Sequence, residues 1–281
     1  MTSVTDALQA FLDRLARHSV LGADECQAIL SLPGTIQTVG YHRYLVRNGG
    51  ASDDACLVMD GVVARVRQHP GGARQISALH IAGDMPDLHA IVWPKNTAAL
   101  QALTPATIAR VPYPALRLLA ARYPAIAEAF WRDCLIDGAI MSDWVFNIGR
   151  RDARTRLAHL FCEMAVRSER VGVQKLRSFA FPITQSDLGD ALSLTAIHVN
   201  RMLKSLRAEG LISAKERERR ILDWPGLVRA GDFDPDYLDL APDSRSWPTP
   251  SRIVSQFSGA RAAPERRRTD GVSSEPPRIA R

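Results

Sequence analysis

Long apolar runs are absent from the 281 residues of this chain. No stretch approaches the ~18–20 consecutive apolar residues that a membrane-spanning helix requires, and the N-terminus lacks the basic and then apolar pattern of a secretory signal. Apolar residues (46%) and charged residues (23%) occur in the proportions of ordinary globular domains. We therefore expect a cytoplasmic protein without a membrane partner, with room for about two domains that each bury a core.

Cysteine is scarce and scattered. The four cysteines, Cys26, Cys56, Cys134 and Cys162, form no C-x-x-C pair. This spacing argues against a zinc ribbon and against a disulfide framework, and it suits a reducing compartment. Because free cysteine is among the most buried residue types, we predict unreactive core thiols.

Motifs of catalysis are also missing. The sequence has no Gly-rich phosphate loop, no nucleophile elbow and no H-E-x-x-H, so we predict neither an enzyme nor a cofactor. One metal alternative is open, because His80, Asp84, Asp87 and His89 carry imidazole and carboxylate groups that suit divalent transition metals. Their spacing matches no compact motif, and a solvated loop between strands explains them more simply.

Positive charge is concentrated in one part of the chain. Residues 150–220 hold fifteen basic and eight acidic residues, an excess of seven, whereas the whole chain has a net charge of +6. The remainder is therefore nearly neutral. Such local concentration is the electrostatic footprint expected of a nucleic-acid-binding module.

Within that basic region, residues 184–212 predict two short helices joined by a tight turn. Thr184 and Asp187 have the spacing of a capping box at the start of the first helix. Gly189 offers a place for another helix to approach closely, and Ser193 stands in the turn. Thr195 is a natural N-cap for the second helix, which has two faces. Its apolar face consists of Val199, Met202, Leu203 and Leu206. Gly210 is predicted to end the helix.

The opposite face of the second helix is basic and carries an amide. It presents His198, Arg201, Lys204 and Arg207, with Asn200 at its flank. An apolar back and a basic front are typical of a helix laid in the DNA major groove. A solvated surface helix is the competing interpretation of these residues taken alone.

The predicted secondary structure of the N-terminal half changes from helices to short strands. Residues 5–18 and 23–30 predict helices, and residues 36–113 contain short strand-like runs separated by turn residues such as Asp60-Gly61 and Pro70-Gly71-Gly72. The predicted strand runs are 38–46, 56–59, 62–67, 74–81, 98–103 and 107–111. Many short strands of this kind predict a small antiparallel barrel or jelly roll.

A long helix is predicted from residue 125 to about residue 149, after a short helix at 114–119. It carries more apolar residues than one packing face needs, so it requires cover on a second side. We favour a coiled-coil-like dimer helix over a single intramolecular core helix. The predicted dimer contacts are Phe130, Leu135, Met141, Trp144, Val145 and Ile148. Gly149 to Asp152 is expected to act as hinge and cap before a helix at 153–167.

A two-stranded wing is predicted after the helical hairpin, from residues 211–213 and 220–222 around a polar tip. Arg217 and Arg219 in this tip are candidates for phosphate contact. Residues 178–182 predict a strand before the hairpin, and 223–240 a closing segment. Residues 241–281 are rich in Pro, Ser and Arg without apolar periodicity and predict a disordered basic tail.

The order of these elements resembles the Crp/Fnr family of bacterial transcription regulators. The residues ITQSDLGDAL and HVNRMLKSLRAEGLI resemble the family's helix-turn-helix signature almost position by position, and ARTRLAHLFCEM and the Gly61 hairpin extend the likeness over roughly residues 8–240. The resemblance implies an α+β chain. It would comprise a cyclic-nucleotide-binding-like β-roll (1–122), a dimerisation helix (123–150), a winged helix-turn-helix (151–240) and the tail (241–281).

The resemblance is uneven at the DNA-reading positions. Family members place an Arg-Glu pair near the start of the recognition helix and an Arg one turn later. Here Ala196 and Ile197 occupy the pair's positions and only Arg201 matches. Ala196 and Ile197 could touch a thymine methyl, whereas Arg201 can bond guanine bidentately. The operator should therefore differ from the family's best-known sites. Ser193 also replaces the usual turn glycine, at a cost of about 1 kcal/mol if its φ is positive.

The effector region departs further from the family. Cyclic-nucleotide binders use a Gly-Glu-Leu cassette followed by Arg-Ser or Arg-Thr, whereas this chain has Gly-Asp-Met-Pro-Asp-Leu at 83–88 and no arginine at 95–98. An anionic phosphate would meet Asp84 and Asp87 with only Lys95 to offset them, and Pro86 lacks an N–H. We predict that cyclic AMP is not the effector, which a calorimetric titration tests. Clustered cysteines for an iron–sulfur cluster are absent too.

These observations predict a homodimeric transcription regulator that binds double-stranded DNA at a two-fold-symmetric operator, with RNA polymerase as a candidate further partner. The alternative is a ligand- or protein-binding sensor module whose helix-turn-helix no longer binds DNA specifically. Salt-dependent binding to a palindromic fragment separates the two.

Overall fold

Two amphipathic helices open the chain in the computed structural model, which describes residues 2–50, 52–95, 98–170, 178–215 and 218–238. Helix α1 spans Val4–Ala16 and α2 spans Ala23–Leu30. Ser3 and Asp6 close a reciprocal capping box at the start of α1. The buried face of α1 includes Leu8, Phe11 and Leu15, as its helical spacing predicts.

Seven antiparallel strands follow. They are β1 (Thr35–Val39), β2 (Tyr44–Val46), β3 (Asp54–Asp60), β4 (Val63–Gln68), β5 (Arg74–His80), β6 (Ala99–Ala102) and β7 (Ala106–Pro112). The run predicted at 38–46 is divided into β1 and β2, because the chain turns at residues 40–43, where His42 has a φ of +56°. The predicted turns are confirmed at Gly61 (φ +87°) and Gly72 (φ +92°), where glycine avoids the cost of a Cβ.

The strands form two sheets, in the orders β1-β7-β3 and β2-β6-β4-β5. Register is defined by pairs such as Val58 with Ile108 and Val63 with Ala102. A small apolar cluster containing these four residues lies between the sheets. The arrangement is the predicted β-roll.

Helices connect the β-roll to the rest of the molecule. A 3-10 segment covers Leu88–Ile91, α3 covers Tyr113–Arg122 and α4 covers Pro124–Arg150. Helix α4 continues through Gly149, so the predicted hinge lies one or two residues later. Asp152 then caps the next helix by accepting hydrogen bonds from the backbone N–H groups of Arg154 (2.9 Å) and Thr155 (3.0 Å).

The C-terminal module begins with α5, Ala153–Arg170. It continues with β8 (Ser178–Ala180), α6 (Gln185–Leu192), α7 (Ala196–Ala208), β9 (Ile212–Lys215), β10 (Glu218–Ile221), α8 (Trp224–Gly231) and a 3-10 segment at Pro235–Leu238. The three short strands make an antiparallel sheet in the order β8-β10-β9. This is the predicted winged helix-turn-helix, with β9 and β10 extending further toward the wing tip than predicted.

One apolar cluster joins the two halves of the molecule. It contains residues of the β-roll, such as Val66 and Ile76, together with residues of the C-terminal module, such as Phe161, Leu188 and Leu203. A second cluster surrounds α1, α3 and the first half of α4. The winged module is thus packed directly against the sheet that contains β4 and β5.

No helix among the described residues is long and apolar enough to cross a membrane. The predicted tail at 241–281 lies outside the described residues.

Candidate nucleic-acid interface

Helix α6 starts with the predicted capping box. The Thr184 hydroxyl accepts from the Asp187 N–H (3.1 Å), and the Asp187 carboxylate accepts from the Thr184 N–H (3.3 Å). Two N–H groups that have no partner within the helix are satisfied in this way. Asp187 is fully buried, so the start of the helix-turn-helix is fixed by a charged group inside the protein.

The turn between α6 and α7 depends on two small residues. Ser193 has φ +55° and ψ +47°, the left-handed conformation in which serine costs about 1 kcal/mol relative to glycine. A Cβ on Gly189 would lie 2.4 Å from the backbone oxygen of Leu194. The nearest neighbour of Gly189 is therefore the turn itself, and the backbone nitrogen of Ala196, where α7 begins, follows at 3.6 Å from the same Cβ.

Helix α7 is held by a cap at its N-terminus and by a buried apolar face. The Thr195 hydroxyl accepts from the His198 N–H at 3.2 Å, which confirms Thr195 as N-cap, and Gly210 follows the helix with φ +71°. Val199, Leu203 and Leu206 are fully buried. Burial of each such side chain contributes about 1.5–3 kcal/mol, so the packing of α7 is firmly determined.

The front of α7 faces outward. Ile197 is 85% exposed, and Ala196, Arg201, Lys204 and Arg207 are exposed as well. His198 and Asn200 are half-buried at the edges of this face. Within the described part of the chain, no carboxylate lies within ion-pair distance of Arg201, Lys204 or Arg207. The predicted reading residues are thus brought together on one surface, with their cationic groups free for an anionic partner.

Three other basic residues of the region, Arg154, Arg156 and Arg167, are engaged within the protein. Arg154 is ion-paired with Glu209 at the end of α7, and Arg167 is buried between Glu163 and Asp84. Arg156 donates to backbone oxygens of Arg151 and Leu192. The positive excess counted along the sequence therefore overstates the charge that this surface presents.

The wing follows α7 in sequence, and its strands β9 and β10 belong to the sheet β8-β10-β9. Arg220 is exposed on β10. Arg217 and the side chain of Arg219 lie outside the described residues. Their predicted phosphate contacts remain predictions.

A buried ionic cluster that the sequence did not reveal lies at residues 83–88, after β5. Asp84 is ion-paired with Arg14 of α1 (2.5 Å) and with Arg167 of α5 (2.8 Å). Burial acts to raise the pKa of Asp84, but the two guanidinium groups outweigh burial and hold the pKa below its usual value. Asp84 therefore links three elements and is not a free loop charge.

Asp87 and Arg65 change the predicted charge balance of this region, in which Lys95 was the only cation opposite Asp84 and Asp87. Asp87 is buried and accepts from the Cys56 N–H at 2.8 Å. Arg65 on β4 donates to Asp137 of α4 and to the backbone oxygen of Pro86, both at 2.7 Å. A cavity of about 310 Å³ lies there, between the loop after β5 and α4. Lys95 is thus not the sole cation of this region, since Arg65 lines the cavity while paired with a carboxylate.

The metal alternative gains no support. Among the described residues, no group of three or more His, Cys, Asp or Glu side chains could hold a metal ion. His80 Nδ1 lies 3.8 Å from Asp84 Oδ2, but arginines already form ion pairs with that carboxylate.

The four cysteines are free thiols. Cys56 and Cys162 are buried, and Cys26 and Cys134 are half-buried. Burial raises the pKa of Cys134 to about 12.

Helix α4 has a buried stripe and an exposed stripe of residues along its length. The structure corrects which of the predicted dimer contacts lie on the exposed one. Phe130 packs on Phe11, and the buried Trp144 indole donates to Glu163 Oε2 at 2.8 Å. Both belong to the core of the subunit, which corrects their placement among the predicted dimer contacts. Leu135, Val145 and Met141 are exposed and Ile148 is half-buried.

The exposed stripe of α4 follows a spacing of four and three residues. It consists of Trp131, Leu135, Gly138, Ser142, Val145 and Gly149, all exposed. Trp131 (65% exposed) was missed by the sequence analysis, although this alternating spacing could have revealed it. This alternating spacing is the one that contact positions follow in two-helix coiled coils, and Gly138, Ser142 and Gly149 are small.

Comparison with known proteins agrees with this architecture. A Crp-like helix-turn-helix domain model matches residues 155–230. An "Anaerobic regulatory protein" of Haemophilus influenzae is 26% identical over 66% of this chain and 71% of its own length. A "Fumarate and nitrate reduction regulatory protein" of Vibrio cholerae is 27% identical over 56% of this chain and 62% of its own length.

A solved structure shows the same fold. FixK2 from Bradyrhizobium japonicum superposes with a TM-score of 0.65 at 23% identity, covering 71% of this chain and 98% of the other. The likeness thus extends from the matched C-terminal domain into the β-roll and its helices.

Proposed function

We propose that this chain, which belongs to the Crp/Fnr family of transcription regulators, acts as a homodimer that places α7 of each subunit in a DNA major groove. The observation that carries the proposal is the face of α7, where Arg201, Lys204 and Arg207 are exposed and unpaired among the described residues. A buried apolar back holds this face outward.

The side chains of α7 divide into two roles. The guanidinium of Arg201 would donate two hydrogen bonds to guanine, while Ala196 and Ile197 would offer apolar side chains to the thymine methyl. His198 and Asn200 are polar candidates at the edge of the same face. Lys204 and Arg207 lie further along the helix, where they would bind phosphates together with Thr195, Arg217 and Arg219. The Thr195 hydroxyl oxygen already accepts the cap hydrogen bond of α7, so its contact with a phosphate would donate the hydroxyl proton.

The dimer would form along the exposed stripe of α4. Leu135 and Val145 are 63% and 72% exposed, which is unusual for residues of this size on one helix face. Cβ atoms added to Gly138 and Gly149 would meet nothing within 4 Å, so this face has room for a second helix. A two-fold axis along α4 would present two α7 helices to half-sites about one DNA turn, ~34 Å, apart.

Binding measured against salt tests the proposal. Each phosphate contact adds to the slope of log affinity on log salt concentration, so we expect a steep loss of affinity between 50 and 200 mM salt. At fixed salt, a palindromic fragment selected by the protein should bind at least about a thousandfold more tightly than random DNA. Equal affinity for both would support the alternative of a sensor module without specific DNA recognition.

A further inference from the structure

A polar contact joins the β-roll to the first helix of the helix-turn-helix. Arg74, the first residue of β5, donates from Nε to Asp190 Oδ2 at 2.6 Å and from a terminal nitrogen to Asp187 Oδ1. Its other terminal nitrogen donates to Gln101 Oε1 of β6 at 2.8 Å. The guanidinium is therefore anchored to the β-roll on one side and clasps two carboxylates of α6 on the other.

The neighbouring residues extend this contact to the turn. The Ser193 hydroxyl donates to Gln75 Oε1 at 3.0 Å, and His42 Nε2 lies 3.3 Å from Asp187 Oδ1. Ser193 holds the unfavourable left-handed conformation in which glycine would be easier. Serine at this position supplies a hydrogen bond to the β-roll that glycine could not supply.

All of these contacts lie on α6 and on the turn, away from the front of α7. The exposed face of Ile197, Arg201 and Lys204 is thus fully presented while the contact is closed. Arg74 also offsets one of the two negative charges that Asp187 and Asp190 bring to α6. In the state with Arg74 bound to α6, the face of α7 is therefore exposed and part of the negative charge of α6 is offset. We take this state to be the one competent for DNA binding.

We infer that Arg74 is a positioning residue for DNA recognition, a latch on the β-roll that fixes the recognition helix by clasping Asp187 and Asp190. The inference rests on the proposed function, since it concerns how the same DNA-reading face is held. Events in the β-roll that move β5 would open the latch and lower DNA affinity. The apolar cluster beneath it, which includes Ile76 and Leu188, keeps the two parts folded together when the latch is open.

The test compares Arg74→Gln with a matched control, Arg67→Gln, which removes an exposed arginine from the adjacent strand β4. We expect Arg74→Gln to weaken binding to the selected fragment by about tenfold, a typical coupling between two parts of one protein. Arg67→Gln should bind like the wild type. In the absence of DNA, amide hydrogen exchange of residues 185–194 should be faster in Arg74→Gln alone.

Asp190→Asn distinguishes a latch from simple repulsion. If Asp190 acts through Arg74, the variant binds DNA more weakly and the double variant with Arg74→Gln is little worse than either single variant. If Asp190 only repels phosphates, Asp190→Asn binds more tightly, which overturns the inference. Unchanged DNA affinity and unchanged exchange in Arg74→Gln overturn it too. A wild-type protein that binds no DNA contradicts the proposed function instead, while the exchange measurement still decides whether the latch exists.

Discussion

At the scale of single residues, Arg201 and Lys204 have different expected roles on the same helix face. Both are exposed and lie three positions apart, so both can reach DNA. Arginine offers a planar pair of donors that matches guanine, whereas the lysine ammonium acts as a point charge toward phosphate. The identity of each side chain therefore predicts its effect on sequence preference.

Arg201→Ala should cost about 1–3 kcal/mol on the selected site and relax the base preference there. Lys204→Ala should weaken binding to the selected site and to random DNA by the same factor and should lower the salt slope by about one. Fluorescence anisotropy with both fragments over a range of salt concentrations measures these changes. An equal loss for Arg201→Ala on both fragments would mean that Arg201 contacts only phosphate.

His80 gives a second residue-scale prediction. Burial lowers the pKa of His80 to about 4, whereas an unfolded histidine titrates near 6.5. Below pH 6.5 the unfolded chain therefore binds a proton that the folded chain does not bind until about pH 4. The free energy of unfolding should fall across this window, by on the order of 3 kcal/mol in total.

Urea unfolding between pH 4.5 and 7 measures this loss. His80→Gln should flatten the pH dependence, because it removes the titrating group. His69→Gln, which changes an exposed histidine in the turn before β5, should leave the dependence as in the wild type. Identical slopes for His80→Gln and the wild type would assign the pH dependence to other groups.

At the scale of elements, the helix-turn-helix was predictable because its information is local. Capping pairs such as Thr184 with Asp187, and apolar spacing such as Val199 with Leu203, connect residues three or four positions apart. The buried ion pairs were not predictable, because Arg14 and Asp84 are separated by 70 residues and Arg74 and Asp187 by 113. Nothing in the sequence near either partner indicates which charge it meets.

Gly189→Ala tests the geometry of the turn. The added Cβ would overlap the Leu194 backbone oxygen, and backbone cannot yield as a flexible side chain can. We expect a loss of about 1–3 kcal/mol in thermal unfolding, together with loss of DNA binding. Gly40→Ala is the control, since its Cβ would meet only Arg43 Cγ at an ordinary 3.6 Å. A Gly189→Ala protein as stable as the control would mean that the turn is looser than the structure shows.

Helix α4 shows why an apolar pattern can be assigned to the wrong side. Its buried stripe through Phe130 and Trp144 and its exposed stripe through Trp131 and Val145 are offset by one residue, and both carry large apolar side chains. Periodicity predicts two packing faces but does not say which one faces the subunit's own core. Only the placement of α1 and α5 decides this.

Leu135→Asp and Val145→Asp test the exposed stripe as the dimer contact. Each would place an unpaired charge against the partner helix, so sedimentation should show a dissociation constant at least about a hundredfold higher than that of the wild type. Val20→Asp, at an exposed position outside α4, should leave the dimer intact. Dimers of unchanged affinity in both α4 variants would place the interface elsewhere.

At the scale of the whole molecule, the β-roll and the winged module are mechanically connected. They share an apolar cluster, the Arg74 latch and the ion pair of Arg167 with Asp84. A change at the β-roll can therefore reach α7 through three different contacts. Because the winged module is fixed to the β-roll in each subunit, the packing of two subunits in the proposed dimer would set the distance between their α7 helices.

The most direct test of the account is selection of DNA from a random library by the purified full-length protein, followed by sequencing of the retained fragments. The account predicts an enriched inverted repeat whose half-sites are centred about 10–10.5 base pairs apart or a multiple of that distance. The preference at one guanine in each half-site should disappear with Arg201→Ala. A single unrepeated motif, or no enrichment above the starting library, would contradict the proposal that a dimer reads a two-fold-symmetric operator through α7.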